Sequence, residues 1–288
     1  MMDVIDEQSE RSGEGRPARS GERTERVTVP SLRQRKPNGE KIVMLTAYDY
    51  PSARLADRAG VDIVFVGDTA GRMLLGYDNT IPVTLEEMLI LVRAARRGVR
   101  HALLLADMPF GTYQVSPEEA IRNAARLLKE GGAQAVKLEG GAPVVETVRR
   151  LTEAGIPVMG HLGLTPQSVY ILGGNRAQGK DPDAAQRMME DAHALEAAGA
   201  FGLVLEAIPA ALAAEITAAL TIPTIGIGAG VHCDGQVQVW HDLLGIYPGK
   251  LYRHVKRYAE IGDMMEAAIR AYAEEVRQQQ FPTKEHSL

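Results

Sequence analysis

Only one cysteine, Cys233, occurs among the 288 residues. An intrachain disulfide is therefore excluded, and such a chain suits a reducing compartment. No apolar run approaches the roughly 20 residues needed to cross a bilayer. The N-terminus is polar, without a charged stub leading into an apolar block, so no secretory signal is expected. Neither sign of charge dominates: the formal net charge is -5 and the pI about 5.9. No dense Lys/Arg stripe is present, which argues against a nucleic-acid surface. CxxC, HxxxH and HExxH spacings are all missing, which disfavours a zinc site built on them. These absences point to a soluble cytoplasmic protein acting on small molecules, with neither nucleic acid nor membrane as partner.

What is present is a long apolar body behind a polar start. Residues 1–26 are charged, rich in Gly and Ser, and nearly free of large apolar groups after Ile5. Such a segment buries too little surface to offset its ordering entropy, so a flexible tail over 1–26 is expected. Residues 27–288 show no linker and read as one domain, with 45% of the whole chain hydrophobic. Short runs rich in Val, Ile and Leu recur at 41–47, 62–67, 102–106, 134–138, 156–160, 202–206, 222–227 and 236–240. Between most of them lie segments of helical period, at 51–59, 84–97, 116–130, 143–154, 183–199 and 209–219, with a last one at 257–277. Apolar runs without polar alternation suit strands covered on both faces, the parallel-sheet condition. Eight such runs alternating with helices predict a single (β/α)8 barrel, with a doubly wound open sheet as the alternative.

The strand ends carry the chemistry. The second strand runs into Asp68 and Thr69, the third into Asp107, and the fourth into Lys137 and Glu139. The fifth ends at His161 and the sixth at Glu206. In a barrel these ends share one rim, where active sites of the architecture sit. Each residue has a plainer reading. Asp107 could cap the following helix. Lys137 and Glu139, two apart on one strand face, could be a structural ion pair. His161 alone reads as a hydrogen-bonding rim residue, and Asp49 as the cap of the first barrel helix. That all the plainer readings hold at once is improbable. Carboxylates from neighbouring strands are hard oxygen ligands suited to Mg2+ or Mn2+ with several waters retained. A sparsely held ion can polarise a chelated carbonyl, leaving Glu206 to remove the acidified proton.

Two glycine-rich stretches and the cysteine have quieter readings. Gly226-Ile-Gly-Ala-Gly lacks the GxGxxG spacing and the P-loop lysine, so tight packing at a barrel corner is expected over nucleotide binding. Residues 162–181 show little periodicity, the mark of a lid or binding loop. Cys233 sits beside an aspartate and not in a cationic cluster, and reads as structural or incidental.

These residues carry a family resemblance. Thr46-Ala-Tyr-Asp-Tyr, Val66-Gly-Asp-Thr, Leu104-Leu-Ala-Asp-Met-Pro-Phe and Val136-Lys-Leu-Glu-Gly-Gly are similar to motifs of the ketopantoate hydroxymethyltransferase family. So are Gly160-His-Leu-Gly-Leu-Thr-Pro-Gln-Ser, Leu203-Val-Leu-Glu and Ile225-Gly-Ile-Gly-Ala-Gly, in the same order along the chain. The resemblance implies a TIM barrel of the phosphoenolpyruvate/pyruvate-like type. It also implies direct Mg2+ ligation by Asp68 and Asp107, with Glu139 supporting the ion through water. Asp68, Thr69, Asp107 and Lys137 would hold the 2-oxo acid, and Glu206 would be the proton acceptor. Thr69 stands where the family usually has serine and keeps the hydroxyl; Asn175 stands where relatives carry an aromatic residue. The charged extension before Val27 lies outside the family core. A cytoplasmic homodecamer is the assembly the family implies.

The implied reaction transfers a hydroxymethyl group from 5,10-methylenetetrahydrofolate to 3-methyl-2-oxobutanoate, giving 2-dehydropantoate for pantothenate biosynthesis. Glu206 would remove the C3 proton, and Lys137 would offset the charge that develops on the substrate. Two other readings predict different outcomes. Another Mg2+-dependent 2-oxo acid aldolase, lyase or mutase on a related barrel would have no need of folate. A catalytically silent barrel would not turn over at all.

Overall fold

A computed structural model describes residues 25–247, 249 and 252–287. The tail expected over 1–26 falls outside the described residues up to residue 24. The eight expected strands all form: β1 Ile42–Thr46, β2 Ile63–Val66, β3 Leu103–Asp107, β4 Ala135–Lys137, β5 Val158–Gly163, β6 Gly202–Glu206, β7 Thr224–Ile227 and β8 Gly235–Gln238. They pair in sequence order, all parallel, and β8 closes on β1. The open-sheet alternative is thereby excluded.

Two apolar layers hold the barrel. Met44, Ile63, Leu103, Leu105 and Ala135 fill its interior, and a larger shell packs between strands and helices. The N-terminal end is closed by helix α1, Val29–Arg35, which the sequence periodicity did not reveal. Thr28 and Ser31 form its capping box, and its one buried residue, Leu32, joins the interior cluster. Arg35 pairs with Asp62 at 2.8 Å, and Lys36 pairs with Asp234 at 2.9 Å. Both acids immediately precede strands, which places the helix at the strand starts and away from the functional rim.

Helices then follow the strands much as the pattern predicts: α2 Tyr50–Arg58, α3 Ala70–Met73, α4 Leu85–Gly98, α5 Pro117–Arg126, α6 Val145–Glu153, α7 Val169–Leu172, α8 Pro182–Ala197 and α9 Ala210–Ala219. Asp49 caps α2, accepting from the Ser52 N–H at 2.7 Å, as expected. The helical stretch expected to run to residue 130 is α5 continued by a π turn, Leu127–Gly131, which Gly132 ends in the left-handed region. Between β7 and β8 there is no helix among the described residues, only a short loop. There a Cβ on Gly230 would come 2.6 Å from the Ala210 Cβ, and Cys233 is buried. Tight corner packing thus explains the third glycine of this run, as anticipated. Val43 on β1, opposite Gln236 of β8, stays 51% exposed although it lies within a closed barrel. Beyond β8 come the short α10, Trp240–Leu243, and the long α11, Ile261–Arg277, none of whose residues is buried.

Candidate active site

Every ionisable residue singled out at a strand end arrives on the C-terminal rim. Asp107 and Lys137 are the last residues of β3 and β4 and are partners in register. Asp68 follows β2 after Gly67, a position with little room: a Cβ there would meet the Phe65 ring at 2.9 Å. Glu206 ends β6, paired with Gly163 on one side and Ile227 on the other. Gly163 has φ +95°, and a Cβ on it would sit 2.2 Å from the Glu206 carbonyl oxygen. Only glycine allows β5 to approach β6 this closely here. The next residue, Ala207, also has positive φ, at 49°. Hydrogen bonds from Ala207 N–H to Ile227 and from Gln178 N–H to the Ala207 carbonyl hold that uncommon conformation.

The charges are buried together. Asp68, Asp107, Lys137, Glu139 and His161 are each no more than 5% exposed. Lys137 Nζ lies 2.9 Å from Asp107 Oδ1 and 3.6 Å from Glu139 Oε1. Asp107 Oδ2 accepts the Asp68 N–H at 3.0 Å, so Asp107 is not a helix cap; α5 is capped by Ser116 instead. Lys137 Nζ also contacts His161 Nδ1 at 3.1 Å, and His161 Nε2 lies 3.3 Å from Glu206 Oε2. His161 Nδ1 also lies 3.3 Å from Glu139 Oε1, so the imidazole sits between the Lys137–Glu139 pair and Glu206. His161 is therefore a buried link between the charged cluster and Glu206, a closer role than a rim contact.

Three carboxylates face one ammonium. Burial, then the Asp107 and Glu139 charges, push the Asp68 carboxyl well above the usual carboxylate range. Burial raises Asp107 too, against the pull of Lys137. Burial also works against the charge on Lys137, but Asp107, Glu139 and Asp68 outweigh it and hold the ammonium charged. For Glu139, burial is outweighed by Lys137 and His161, so its carboxyl is lowered. The surplus of negative charge fits a bound cation. No three His, Cys, Asp or Glu side chains close around a point among the described residues. The carboxylates here are hard oxygen donors that, among the described residues, form no closed set of three.

Sequence reasoning missed the residue that ties this cluster together. Gln167 is 3% exposed. Its Nε2 donates to Asp68 Oδ2 at 2.9 Å and to the Met108 carbonyl at 3.0 Å. Its backbone N–H donates to Glu139 Oε2 at 3.0 Å. The Tyr113 hydroxyl donates to Gln167 Oε1 at 2.7 Å and accepts the Glu139 N–H at 3.2 Å. The available signal was Gln167's place in the His161 motif, in a loop already expected to bind. That loop carries a 3-10 turn, Pro166–Ser168, and α7. Further along it, Asn175 donates to the Tyr252 hydroxyl at 2.9 Å, which Arg72 also reaches at 3.2 Å.

Two connected spaces open at this rim. A small inner chamber of about 50 Å³ is lined by the charged cluster and by Phe65, Val204 and Val237. Thr69 borders it, and its side chain does not cap α3. An outer chamber of about 360 Å³ shares Thr69, Pro166, Glu206, Ile227 and Val239 with the inner one.

A closed parallel barrel with its charges gathered at the strand C-termini, beside a carboxylate bordering both chambers, defines a barrel enzyme acting on a small polar substrate. Its relatives are specific. A family model described as ketopantoate hydroxymethyltransferase matches residues 26–284. A 3-methyl-2-oxobutanoate hydroxymethyltransferase of Carboxydothermus hydrogenoformans is 58% identical over 264 residues, covering 92% of this chain and 96% of that one. The enzyme of the same name from Moorella thermoacetica is 56% identical, covering 91% and 98%. Among solved structures, a 2,3-dimethylmalate lyase of the PEP mutase/isocitrate lyase superfamily is similar, with TM-score 0.58 at 19% identity, covering 90% of this chain and 91% of that one. A phosphonopyruvate hydrolase solved with oxalate and Mg++ has TM-score 0.58 at 13% identity, covering 90% and 92%. These structures share the fold. The chain belongs to the ketopantoate hydroxymethyltransferase family.

Proposed function

We propose that this chain is a hydroxymethyl transferase that combines 3-methyl-2-oxobutanoate, 5,10-methylenetetrahydrofolate and water to give 2-dehydropantoate and tetrahydrofolate. The observation that carries the reading is the cluster of three buried carboxylates against one ammonium, beside Glu206 at the junction of two chambers. Asp68 and Asp107 would hold Mg2+, with Glu139 supporting it through water. Such an ion supplies Lewis-acid polarisation of the 2-oxo group.

The remaining chemistry belongs to the chain's own residues. Lys137 and the Thr69 hydroxyl bind the acid end of the substrate, and Phe65, Val204 and Val237 receive its isopropyl group. Glu206 accepts the C3 proton. His161, whose Nε2 lies 3.3 Å from Glu206 Oε2, flanks and orients that carboxylate. Burial keeps water from competing for the carbanionic carbon until the one-carbon unit meets it.

The same proposal includes a cytoplasmic homodecamer. Free, buried Cys233 supports a reducing setting. The assembly is supported by apolar surface that the single chain leaves uncovered: Val43 on β1, and Met264, Ile269 and Tyr272 on α11, each more than half exposed. A second copy of the chain is the proposed cover.

The test is transfer of a labelled methylene carbon from methylenetetrahydrofolate into 2-dehydropantoate. Transfer should stop after exhaustive EDTA treatment and return with Mg2+. Undiminished transfer in EDTA would remove the metal from the proposal, and 2-oxo acid consumption without label transfer would favour a lyase or aldolase.

A further inference from the structure

The outer chamber contains polar groups that the reaction at the inner site leaves unused. Gln238, at the end of β8, lines it, and its Oε1 is buried without a hydrogen-bond partner. Asp242, on α10, also lines it and is 8% exposed. Its carboxylate enters no hydrogen bond or ion pair among the described residues. Burial raises its pKa, against the charges of Arg72, His254 and Arg257. A buried acceptor without a donor is costly unless a ligand supplies an N–H, and the unpartnered Asp242 carboxylate offers a second acceptor on the same chamber wall. Toward solvent the same chamber is lined by Arg176 and Arg253, both exposed. It is thus acceptor-rich in its depth and cationic at its mouth, and it meets the inner chamber at Glu206.

We infer that the outer chamber is the subsite for the one-carbon carrier, with Asp242 and Gln238 accepting from the 2-amino and ring N–H edge of its 2-amino-4-oxo heterocycle, and Arg176 and Arg253 taking its acidic tail. This inference rests on the proposed transfer reaction and adds the location and recognition of the second substrate. A carboxylate can accept both adjacent N–H groups of such an edge, and a charge-assisted pair is the stronger kind. The apolar walls, Met73, Leu164 and Val255 among them, suit the faces of a flat ring. A ring so placed lies on the Glu206 side of the bound 2-oxo acid, where the methylene carbon must arrive. The Tyr252 hydroxyl, held by Arg72 and Asn175, ties the loop after β5 to the loop after β8 at the edge of the chamber.

The probe is 5-formyltetrahydrofolate, a stable reduced pterin with the same ring edge and tail, titrated calorimetrically with Mg2+ and 3-methyl-2-oxobutanoate present. Asp242→Asn keeps the shape but turns one acceptor into a donor, and should weaken the probe at least tenfold. The double variant Arg176→Ala/Arg253→Ala changes exposed residues and should fold whatever Asp242→Asn does. It should lose affinity severalfold for 5-formyltetrahydrofolate but not for 6-methyltetrahydropterin, which lacks the tail. Melting temperature and Mg2+-dependent 2-oxo acid binding report whether each variant is intact. Parent-like binding of the probe by a folded Asp242→Asn would overturn the inference, as would an unchanged ratio of tailed to tail-less affinity in the double variant. If the parent transfers the labelled carbon and the variants bind as it does, only this subsite fails. If the parent neither transfers label nor binds the probe, the proposed reaction fails with it.

Discussion

Lys137 Nζ and Asp107 Oδ1 lie 2.9 Å apart, buried between neighbouring strand ends, while the other Asp107 oxygen accepts the Asp68 N–H. Both oxygens of Asp107 are therefore engaged, one by a cation and one by the backbone that carries the next carboxylate. Removing Asp107 changes charge and positioning at once without touching the apolar interior. Asp107→Ala should abolish Mg2+-dependent binding of 3-methyl-2-oxobutanoate. Lys137 keeps Glu139 as a counter-charge, so the fold should survive. Calorimetry measures the binding and circular dichroism the fold; global unfolding would make Asp107 a structural residue.

Gln167 gives a second prediction. Its amide orients Asp68, and partners of this kind typically contribute 10–100-fold to metal affinity. Gln167→Leu removes the donor to Asp68 and leaves the Tyr113 hydroxyl without its acceptor. Mn2+ binding followed by electron paramagnetic resonance should weaken about tenfold or more, with a lower melting temperature. Unchanged Mn2+ affinity would show that Asp68 needs no such support.

Much of this was legible beforehand, for a physical reason. Strands buried on both faces cannot hide their apolar runs, and polar groups are tolerated only where such a strand ends. Asp68, Asp107, Lys137 and Glu206 therefore stood out from β2, β3, β4 and β6 alone. Asp49 could be read as a cap because capping is local. Gln167 and Tyr113 could not be read this way, since they reach the cluster from loops and act across strands far apart in sequence. Helix α1 was missed because its seven residues bury only Leu32, too little to make a period. Residues 162–181 proved to be only partly irregular, since two short helical turns there are fixed by packing and not by repeating pattern.

A third prediction concerns acid stability. Glu196, at the end of α8, accepts from the Thr221 N–H and hydroxyl and from the Ile222 N–H, anchoring the turn before β7. Burial, the largest single influence, raises its pKa, but these hydrogen bonds together outweigh it and the folded value is lowered. A carboxylate with a lowered folded pKa stabilises fully above its unfolded value, about 4.3, and loses that contribution as pH falls through the folded value. Glu196→Gln should therefore lower the melting temperature most near neutral pH, with the gap to the parent narrowing toward pH 3. A gap that widens on acidification would reverse the sign.

The last prediction concerns Glu206. Its side chain is 18% exposed, borders both chambers, and faces His161 Nε2 at 3.3 Å, while the charged cluster lies on the far side of the imidazole. It is thus linked to the carboxylates of the proposed ion without joining them, the placement a proton acceptor needs. Glu206→Gln keeps the length and hydrogen-bonding reach but removes the basic oxygen. A positioned general base contributes about 10²–10⁴-fold in rate, or roughly 3–5 kcal/mol at 1.36 kcal/mol per decade. The variant should bind Mg2+ and 3-methyl-2-oxobutanoate nearly as the parent does, yet lose exchange of the C3 hydrogen in deuterated water. Nuclear magnetic resonance follows that exchange without folate, which separates proton removal from carbon transfer. Exchange at the parent rate would rule Glu206 out as the base. His161, the other titratable group next to Glu206, would then be the residue to replace.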